Sequence, residues 1–494
     1  MPPANPLEIP EILLCGPEEI ARYLVSKFWY NALLPLRWRT VRAISWSRQP
    51  RRMRYTQHLR PCPFILRRHR RLILDLTIDA DRSKIDRCTY PNLKTLTFGT
   101  SKYFPENRVI SLDLTEVFPT LTELNLNSFL VSQETWLSLS THSHVTTLSL
   151  NNIHVCGSNG LVFWRSCAKL ENLALEKVNI GPETISENTM FDRIRQLKLV
   201  DVEGLDAESQ LDLIIRCPNL KGLHWKYNPV VANHYLHPGD LFNLSNMTHP
   251  LSIIRSIPKG NWPYLDELDV HMNAVDLASI LEGISGGLRL LKLRDLALRE
   301  QIFSSLGRHY NTLVKLDLRD CFLDKGFDLL DILCNCPSLE ILHSRYGLDA
   351  GDVAEGGPWA CRLLRELTLG FWFGKEDQDF QQDVLERLST LDRLESLEIF
   401  YRLNDGILNI YKNSGIEFRL DLGLGQLASL RQLKTLTFDG SSVHTITPQL
   451  GMEEVEWMTT NWTKLRRVAG QFNGSPEENA LKDAFIRRGV EVCE

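Results

Sequence analysis

Two short stretches of this chain carry glycine spacings that, in enzymes, hold a cofactor or present a nucleophile. Gly423-Leu-Gly425-Gln-Leu-Ala428 fits a dinucleotide-binding loop, and Gly283-Ile-Ser285-Gly-Gly287 fits the turn around a catalytic serine. The first lacks a surrounding strand–helix–strand crossover, and the second lacks an oxyanion loop and triad partners. The chain also contains no P-loop, no H-E-x-x-H and no C-x-x-C pair. We therefore expect no catalytic residue, no cofactor and no metal site.

The cysteine content and the composition indicate in which cellular compartment the protein resides. The chain has 11 cysteines, an odd number that argues against a disulfide framework and for reducing conditions. The first residues, MPPANPLEIPEILLCG, lack the basic and apolar regions of a signal peptide, and no apolar run approaches about 18 residues. We expect a protein of the cytoplasm, the nucleus or both, with no membrane partner.

The feature that must position any site is a spacing repeated along most of the chain. An aliphatic residue is followed by a second three positions on and by a third two positions later, roughly every 25 residues. The second and third aliphatics of each triplet are two positions apart. Because side chains alternate between the two faces of a strand, both aliphatics can point into a core while their neighbours point outward, which predicts a short strand. About fifteen such triplets indicate a leucine-rich-repeat solenoid, and they include Ile73/Leu76/Ile78, Leu121/Leu124/Leu126, Leu288/Leu291/Leu293, Leu313/Leu316/Leu318 and the degraded Leu465/Val468.

The segments between the triplets predict helices. Apolar residues recur at three and four positions in residues 208–216 and 327–334. Cys167, Cys217 and Cys336 each stand three residues before a core leucine, as in cysteine-containing leucine-rich repeats, where the thiol is a small buried group. The expected fold is therefore an α/β solenoid, a horseshoe with a concave parallel β-sheet and convex helices.

Residues 5–40 do not fit the repeat and resemble an F-box. Ile9-Pro10-Glu11-Ile12-Leu13 corresponds to the opening Leu-Pro and its helix, and Leu24-Val25-Ser26-Lys27-Phe28-Trp29 to the Val-Cys-Lys-x-Trp helix. Leu33, Leu36 and Trp38-Arg39 correspond to the closing Leu…Leu-Trp-Arg, whereas Gly16-Pro17 shortens the first helix. With repeats immediately downstream, the whole chain resembles the F-box leucine-rich-repeat proteins of fungal type.

This resemblance implies the substrate-recognition subunit of a Skp–cullin–F-box-type ubiquitin ligase. The F-box would dock on a Skp-type adaptor, and through it on a cullin, while the repeats hold a protein substrate. The residues implied for the adaptor contact are Ile9, Pro10, Ile12, Leu13, Ile20, Leu24, Val25 and Trp29. The alternative is a ligase-independent leucine-rich-repeat interaction scaffold, in which residues 5–40 only cap the end of the solenoid core.

The predicted organisation is an F-box-like helical module at 5–40, a basic junction at 41–72, a solenoid at 73–470 and a C-terminal cap at 471–494. Between Arg37 and Arg71 there are 12 basic residues and no acidic one, which leaves the rest of the chain at a net charge of −17. The basic run predicts either a nuclear-import patch or a solvated junction. The acidic remainder disfavours nucleic-acid binding.

The 45-residue step from Leu220 to Leu265 interrupts the repeat. Either a degenerate unit or an inserted loop at 227–262 fits the extra length. Because long loops on a rigid scaffold often bind partners, the aromatic residues of this segment are secondary candidates. They are Tyr227, Tyr235 and Phe242.

Residues that flank the core aliphatics of each strand face the concave side of the predicted horseshoe. Those of the middle units are mostly basic, and strands about 4.8 Å apart bring them into one patch. The residues predicted to bind a partner are His271, Lys292, Arg294, Lys315, Arg319, His343 and Arg345. Such a patch suits an acidic or phosphorylated protein segment. The alternative is that Asp269 and Asp317 pair locally with these cations.

Overall fold

The computed structural model describes most of the chain in two compact units, which we call unit 1 (Met1–Leu220) and unit 2 (Lys221–Glu494). The residues that it describes are 39–43, 70–79, 89–99, 109–128, 130–155, 159–180, 185, 189–227, 260–271, 274–298, 300–323, 327–373, 380–400, 416–439, 450–470 and 477–493.

Unit 1 is built on a parallel sheet of short strands. In chain order its elements are β1 (Thr40–Ala43), β2 (Asp75–Asp79), β3 (Thr95–Gly99), β4 (Val109–Ile110), α1 (Leu114–Val117), β5 (Glu123–Asn127), β6 (Leu130–Val131), α2 (Gln133–Thr141), β7 (Thr147–Asn151), β8 (His154–Val155), α3 (Asn159–Cys167), β9 (Asn172–Glu176), β10 (Asn179–Ile180), β11 (Gln196–Val200) and α4 (Ala207–Ile215).

The predicted triplets form the core of unit 1. Strands β1, β2, β3, β5, β7, β9 and β11 pair in parallel, each with the next. From β2 onward the register aligns one leucine per strand, so each stacks on the leucine of the next repeat. Leu96, Leu124, Leu148, Leu173 and Leu197 are at most 2% exposed. Each repeat thus buries its apolar face against its neighbours.

A left-handed turn ends each of four strands in unit 1. Ser128, Asn152, Lys177 and Asp201 have φ between 50° and 64°, a region that residues other than glycine rarely adopt. The turn is held by the next repeat, since the Ser128 N–H donates to the Asn151 carbonyl at 2.9 Å. Beyond the turns, β4, β6, β8 and β10 pair into a second, small parallel sheet. Strands β5, β7, β9 and β11 therefore stop after five residues.

Unit 2 continues the strand-and-helix alternation. Its elements are β12 (Gly222–Lys226), β13 (Glu267–His271), α5 (Ala274–Gly283), β14 (Leu290–Leu298), α6 (Glu300–Leu306), β15 (Lys315–Leu323), α7 (Phe327–Asn335), β16 (Ile341–Asp349), α8 (Ala350–Glu355), β17 (Glu366–Trp372), α9 (Gln381–Ser389), β18 (Ser396–Phe400), β19 (Thr435–Asp439), α10 (Met452–Asn461), β20 (Arg467–Gly470), α11 (Glu477–Arg487) and β21 (Glu491–Cys493), with 3₁₀ turns at Gly307–His309, Leu420–Leu422 and Leu424–Ser429.

Ten strands of unit 2, β12 to β21, pair in parallel in chain order. Strand β12 pairs directly with β13, so the strands before and after the segment 227–262 are neighbours in the sheet. Most of that segment lies outside the described residues, and the inserted loop and the degenerate unit both stay predictions. Each unit is a leucine-rich-repeat solenoid, as the spacing predicts.

Four strands of unit 2 run well past the predicted triplet, and one of them, β17, has seven residues. Strands β14, β15 and β16 have nine residues each, and the pairing shifts register between Arg294 and Ala297 and between His343 and Gly347. Such bulges bend the strand and re-aim its side chains. The strands therefore carry additional residues beyond those that the repeat spacing identifies.

The predicted helices and buried cysteines are confirmed. Helices α4 and α7 lie within a residue of the predicted segments, and α4 begins where the Asp206 carboxylate accepts the Ser209 N–H at 2.7 Å. The three cysteines at the turn are 0% exposed, and the Cys217 thiol donates to the Leu213 carbonyl at 3.2 Å. Burial raises the pKa of Cys336 to about 12, so this thiol is an inert core group.

The sheets extend beyond the predicted limits of the solenoid. Strand β1, at the boundary between the predicted module and junction, pairs with β2. At the other end, β21 pairs with β20, so residues predicted as a cap add a strand. Among the described helices, none is both long enough and apolar enough to cross a membrane. The curvature of the repeats into a horseshoe stays a prediction.

Candidate functional site

The candidate site lies on the sheet face of unit 2 that points away from the buried leucines, which we call the open face. Alternate residues of each strand point to this face. The register of β12 to β18 aligns one open-face residue per strand into a central row. The row consists of His224, Asp269, Lys292, Asp317, His343, Thr368 and Glu398. Acidic residues and basic or imidazole side chains alternate over its first five positions.

Asp317 is the centre of this row and is only 3% exposed. Its Oδ1 accepts from the Arg319 Nε at 3.0 Å and from the Arg319 backbone N–H at 3.3 Å, and its Oδ2 accepts from Nη2 at 2.7 Å. The Lys292 Nζ lies 3.8 Å from Oδ2. Burial alone would raise the pKa of Asp317, but the hydrogen bonds and charge of Arg319, with Lys292, lower it overall. Asp317 is therefore ionised and fixes the Arg319 guanidinium.

His343 lies beside Asp317 on the next strand. Its Nε2 is 3.3 Å from the Glu366 Oε2, and its buried Nδ1 has no hydrogen-bond partner among the residues that the structure describes. Burial lowers the pKa of His343 and the charge of Arg319 adds to this effect, while Asp317 and Glu366 oppose it. A histidine with a lowered pKa is neutral at pH 7, so His343 supplies a hydrogen-bonding ring and not a positive charge.

A small cavity of about 120 Å³ opens near the start of the row. It is lined by His224, Trp225, Lys226, Asp269, His271, Arg294 and Asp320. Asp269 holds two of these groups, since its Oδ2 is 3.4 Å from the His224 Nδ1 and its Oδ1 is 3.4 Å from the Arg294 Nε. The cavity thus combines charges of both signs and has room for only a few atoms.

All seven residues predicted to bind a partner lie on β13 to β16. The ion pairs above engage three of their five lysines and arginines, as the local-pairing alternative proposes. The other two are Lys315 and Arg345, for which the described part of the chain shows no carboxylate within 4.0 Å. Arg345 is exposed and Lys315 is partly exposed. Of the seven predicted residues, these two carry a positive charge that no described carboxylate neutralises.

Two aromatic side chains that sequence reasoning missed lie next to Arg345. Tyr346 follows it in the bulge of β16, and Trp372 ends β17. Their ring centroids are 4.7 Å apart at an interplanar angle of 63°. Strand alternation does not predict the position of Tyr346, because the bulge shifts the pairing after His343, and the triplet of β17 ends at Leu369, before Trp372. Their one sequence signal is that aromatic residues follow directly on a predicted strand.

The corresponding face of unit 1 is less charged. Asn125 donates to the Thr97 hydroxyl at 3.3 Å, and Asn172 donates to the Thr147 hydroxyl at 2.9 Å. These bonds join side chains on adjacent strands, as does the pair of Lys198 with Glu176 at 2.8 Å. The cations predicted to bind a partner are therefore a feature of unit 2.

The residues predicted for the adaptor contact, Ile9 to Trp29, lie outside the described residues, as do Tyr235 and Phe242 of the segment 227–262. Tyr227, the third aromatic candidate, is the last described residue before the gap in that segment and is partly exposed.

The glycine patterns considered as enzyme sites have structural explanations. A Cβ at Gly286 would lie 1.9 Å from the Pro263 carbonyl oxygen, and Gly287 and Gly423 have φ of +87° and +104°. These glycines therefore permit tight turns between repeats. Within the described ranges, no group of three or more His, Cys, Asp or Glu side chains could hold a metal ion.

No protein-family model matches the chain, and no curated protein matches it. Solved structures similar to it include an internalin from Listeria monocytogenes, with 16% identity over 70% of this chain and 80% of that chain and a TM-score of 0.41. TLR13 in its complex with ssRNA13 shows 13% identity, over 85% of this chain and 71% of that chain, with a TM-score of 0.33.

A third similar structure is the leucine-rich-repeat ectodomain of the plant membrane receptor kinase GASSHO1/SCHENGEN3 from Arabidopsis thaliana, in complex with CASPARIAN STRIP INTEGRITY FACTOR 2. It shares 15% identity, over 83% of this chain and 55% of that chain, with a TM-score of 0.30. Likenesses at this level carry no information on ligands. The strand pairing and the buried leucines of this chain itself show the leucine-rich-repeat solenoid fold.

Proposed function

We propose that this chain is the substrate-recognition subunit of a Skp–cullin–F-box-type ubiquitin ligase and that the open face of unit 2 binds its protein substrate. The observation that carries the binding part is the charge pattern of the open face. Carboxylates of the central row pair with Lys292, Arg294 and Arg319, whereas Lys315 and Arg345, beside the row, have no carboxylate within 4.0 Å among the described residues. The F-box resemblance of residues 5–40 supports the ligase part.

The chemistry of the open face supports an acidic or phosphorylated substrate segment. Arginine binds carboxylate and phosphate groups through two parallel hydrogen bonds, and lysine adds a point charge. Asp317 holds Arg319 in a fixed orientation, so ordering this side chain costs little when a partner binds. In this proposal the chain contributes binding and geometry, and ubiquitin transfer belongs to partner subunits.

The second candidate function is a ligase-independent interaction scaffold with the same open face. In that case residues 5–40 would only cover the end of the repeat core. Both candidates place the protein in the cytoplasm, the nucleus or both. The inert, buried thiols of the repeat cysteines favour such a reducing compartment.

Co-purification with a Skp-type adaptor discriminates the two candidates. We expect the full chain to retain the adaptor, and the double substitution of Ile12→Asp and Leu13→Asp to abolish retention. Leu161→Ser is the control, because this side chain is 47% exposed on α3 and far in sequence from the module. A soluble full chain that never captures the adaptor would reject the ligase role and favour the scaffold.

Charge reversal on the open face tests substrate binding separately. Lys315→Glu combined with Arg345→Glu should reduce capture of the proteins that the native chain recovers by at least tenfold. Arg467→Glu is the matched control, because Arg467 is exposed in the same register row as Lys315, five strands away. Equal capture by the double variant and the native chain would reject the open face as the binding surface.

A further inference from the structure

The open face carries an aromatic surface where β16 and β17 end. Strand β16 bulges between His343 and Gly347, and after the bulge Gly347 pairs with Gly370 of β17. Trp372 lies two residues beyond Gly370 and so points to the same face. Tyr346, in the bulge, meets the Trp372 ring edge-on at 4.7 Å. The aromatic pair is thus a consequence of the bulge.

Two glycines allow the indole to lie against the sheet. A Cβ at Gly347 would fall 2.6 Å from the Trp372 Nε1, which shows that the ring packs directly on the backbone of β16. A Cβ at Gly370 would fall 3.3 Å from the Gly347 Cα. On the core side Phe371 is 0% exposed and holds the end of β17 in place. The indole is therefore pre-positioned, with little rotamer freedom left to lose on binding.

The charge available beside this pair is positive. Arg345 directly precedes Tyr346, is exposed and has no ion pair among the described residues. One open-face acid on each of the two following strands, β17 and β18, already contacts another side chain. Glu366 contacts His343 at 3.3 Å, and Glu398 accepts from the Thr368 hydroxyl at 3.0 Å. Tryptophan, tyrosine and arginine are the residues that most often dominate the binding energy of protein interfaces.

We propose that Trp372, Tyr346 and Arg345 anchor an extended acidic segment of the partner protein, in which a large apolar or aromatic side chain lies within a few residues of a carboxylate. The apolar side chain packs on the Trp372 and Tyr346 rings, and the carboxylate pairs with the Arg345 guanidinium. The unpaired positive charge next to a fixed aromatic surface selects this occupant. The inference rests on the proposed binding function of the open face and adds the chemistry of the segment.

A random-peptide display library panned on the full chain tests this anchor. We expect enriched peptides that combine Trp, Phe, Tyr or Leu with a nearby Asp or Glu. A synthetic, labelled copy of the most enriched peptide should bind Trp372→Ala and Arg345→Glu at least tenfold more weakly than the native chain. Tyr264→Ala is the control, since this aromatic side chain is 58% exposed in unit 2 but lies outside the anchor. It should bind the peptide as the native chain does.

The variant Gly347→Ala is a second test of the anchor, and it retains the side chains of Trp372, Tyr346 and Arg345. The added methyl group displaces the indole, so the same peptide should bind this variant more weakly. Arg345 is exposed, so Arg345→Glu keeps the test decisive even if a change at Trp372 or Gly347 disturbs folding. Failure to enrich any peptide, or enriched peptides without an acidic–apolar pairing, would overturn the proposal.

The outcomes also separate this proposal from the wider one. Peptides that lose binding with Lys315→Glu, but bind Trp372→Ala and Arg345→Glu normally, would reject the anchor and keep the open face as a binding surface. Peptides that bind all these variants as they bind the native chain would overturn the anchor and count against the open face as well.

Discussion

Asp317→Asn is the substitution that most sharply probes the open face. The carboxylate receives three hydrogen bonds from Arg319, and its side chain is 4% exposed. Asparagine keeps one acceptor oxygen but turns an NH₂ group toward the guanidinium, so at least one bond becomes a donor–donor contact. Hydrogen bonds to charged groups contribute about 1.5–3 kcal/mol each when buried.

The expected loss is smaller than that of a fully buried ion pair. The Arg319 side chain is 43% exposed, so water can solvate the guanidinium once its partner is removed. We expect Asp317→Asn to lower the free energy of unfolding by about 2 kcal/mol, measured by urea denaturation followed by circular dichroism. Asp421→Asn is the matched control, because Arg419 and Asp421 form the same two side-chain bonds at 2.9 and 2.6 Å but the Asp421 side chain is 60% exposed. This control should change little.

The effect of Asp317→Asn also depends on pH in a defined direction. The pKa of Asp317 is lowered in the folded chain, so protonation favours the unfolded chain. The stabilisation is therefore present above the ordinary pKa of 3.8 and is lost as pH falls through the lowered value. Equal urea midpoints for the variant and the native chain at pH 7, or an equal loss in the Asp421→Asn control, would refute the reasoning.

Three further predictions concern the scaffold. Burial lowers the pKa of His142 and of His309, although their hydrogen bonds to the Phe118 and Leu281 carbonyls oppose this shift. The free energy of unfolding should therefore decrease as the pH falls below about 6.5. The double variant His142→Gln and His309→Gln should show a weaker pH dependence in urea titrations at several pH values. Gly204→Ala should cost at least 2 kcal/mol because its Cβ would lie 1.9 Å from the Ile180 oxygen at a φ of +80°, whereas Gly99→Ala, with nothing within 4 Å, should leave the melting temperature nearly unchanged. Lys169→Met should lower the melting temperature, because the ammonium group donates to the Leu139, Ser140 and His142 carbonyls at the C-terminal end of α2, and an unchanged melting temperature would contradict this role.

The repeat core is the part of the fold that sequence predicts best. A leucine triplet that recurs along the chain determines how the strands pair, because each strand must bury its leucines beside the leucines of the next strand. Leu124 and Leu148 pair in register as that argument requires. The helices between strands follow from the same logic, since an apolar stripe at helical spacing needs the core on one side.

The bulged strands of unit 2 could not be predicted from the triplets. Regular spacing continues through Leu316 and Leu342, and nothing in it reveals that β15 and β16 extend to nine residues. The extension depends on how each strand pairs with its neighbour after the last core leucine. Gly347 and Gly370 make the close approach possible, but glycines are also common in turns. Tyr346 and Trp372 were missed for this reason.

The open-face charges were predicted in part. Strand alternation identifies which lysines and arginines share the surface, because it depends only on the period of two. It does not tell which of them are neutralised, since that depends on side-chain reach across neighbouring strands. Lys292 on β14 reaches Asp317 on β15, whereas Lys315 and Arg345 have no carboxylate within reach among the described residues.

Site-specific photo-crosslinking tests the central claim, that the open face of unit 2 binds a protein partner, most directly. A photoreactive phenylalanine analogue is placed at position 345 in one chain and at the exposed position 161 of α3 in another. Adducts formed in cells are then identified by mass spectrometry. The account predicts a protein adduct at position 345, attached through an acidic segment, and no such adduct at position 161. Adducts confined to position 161, or none at position 345, would contradict it.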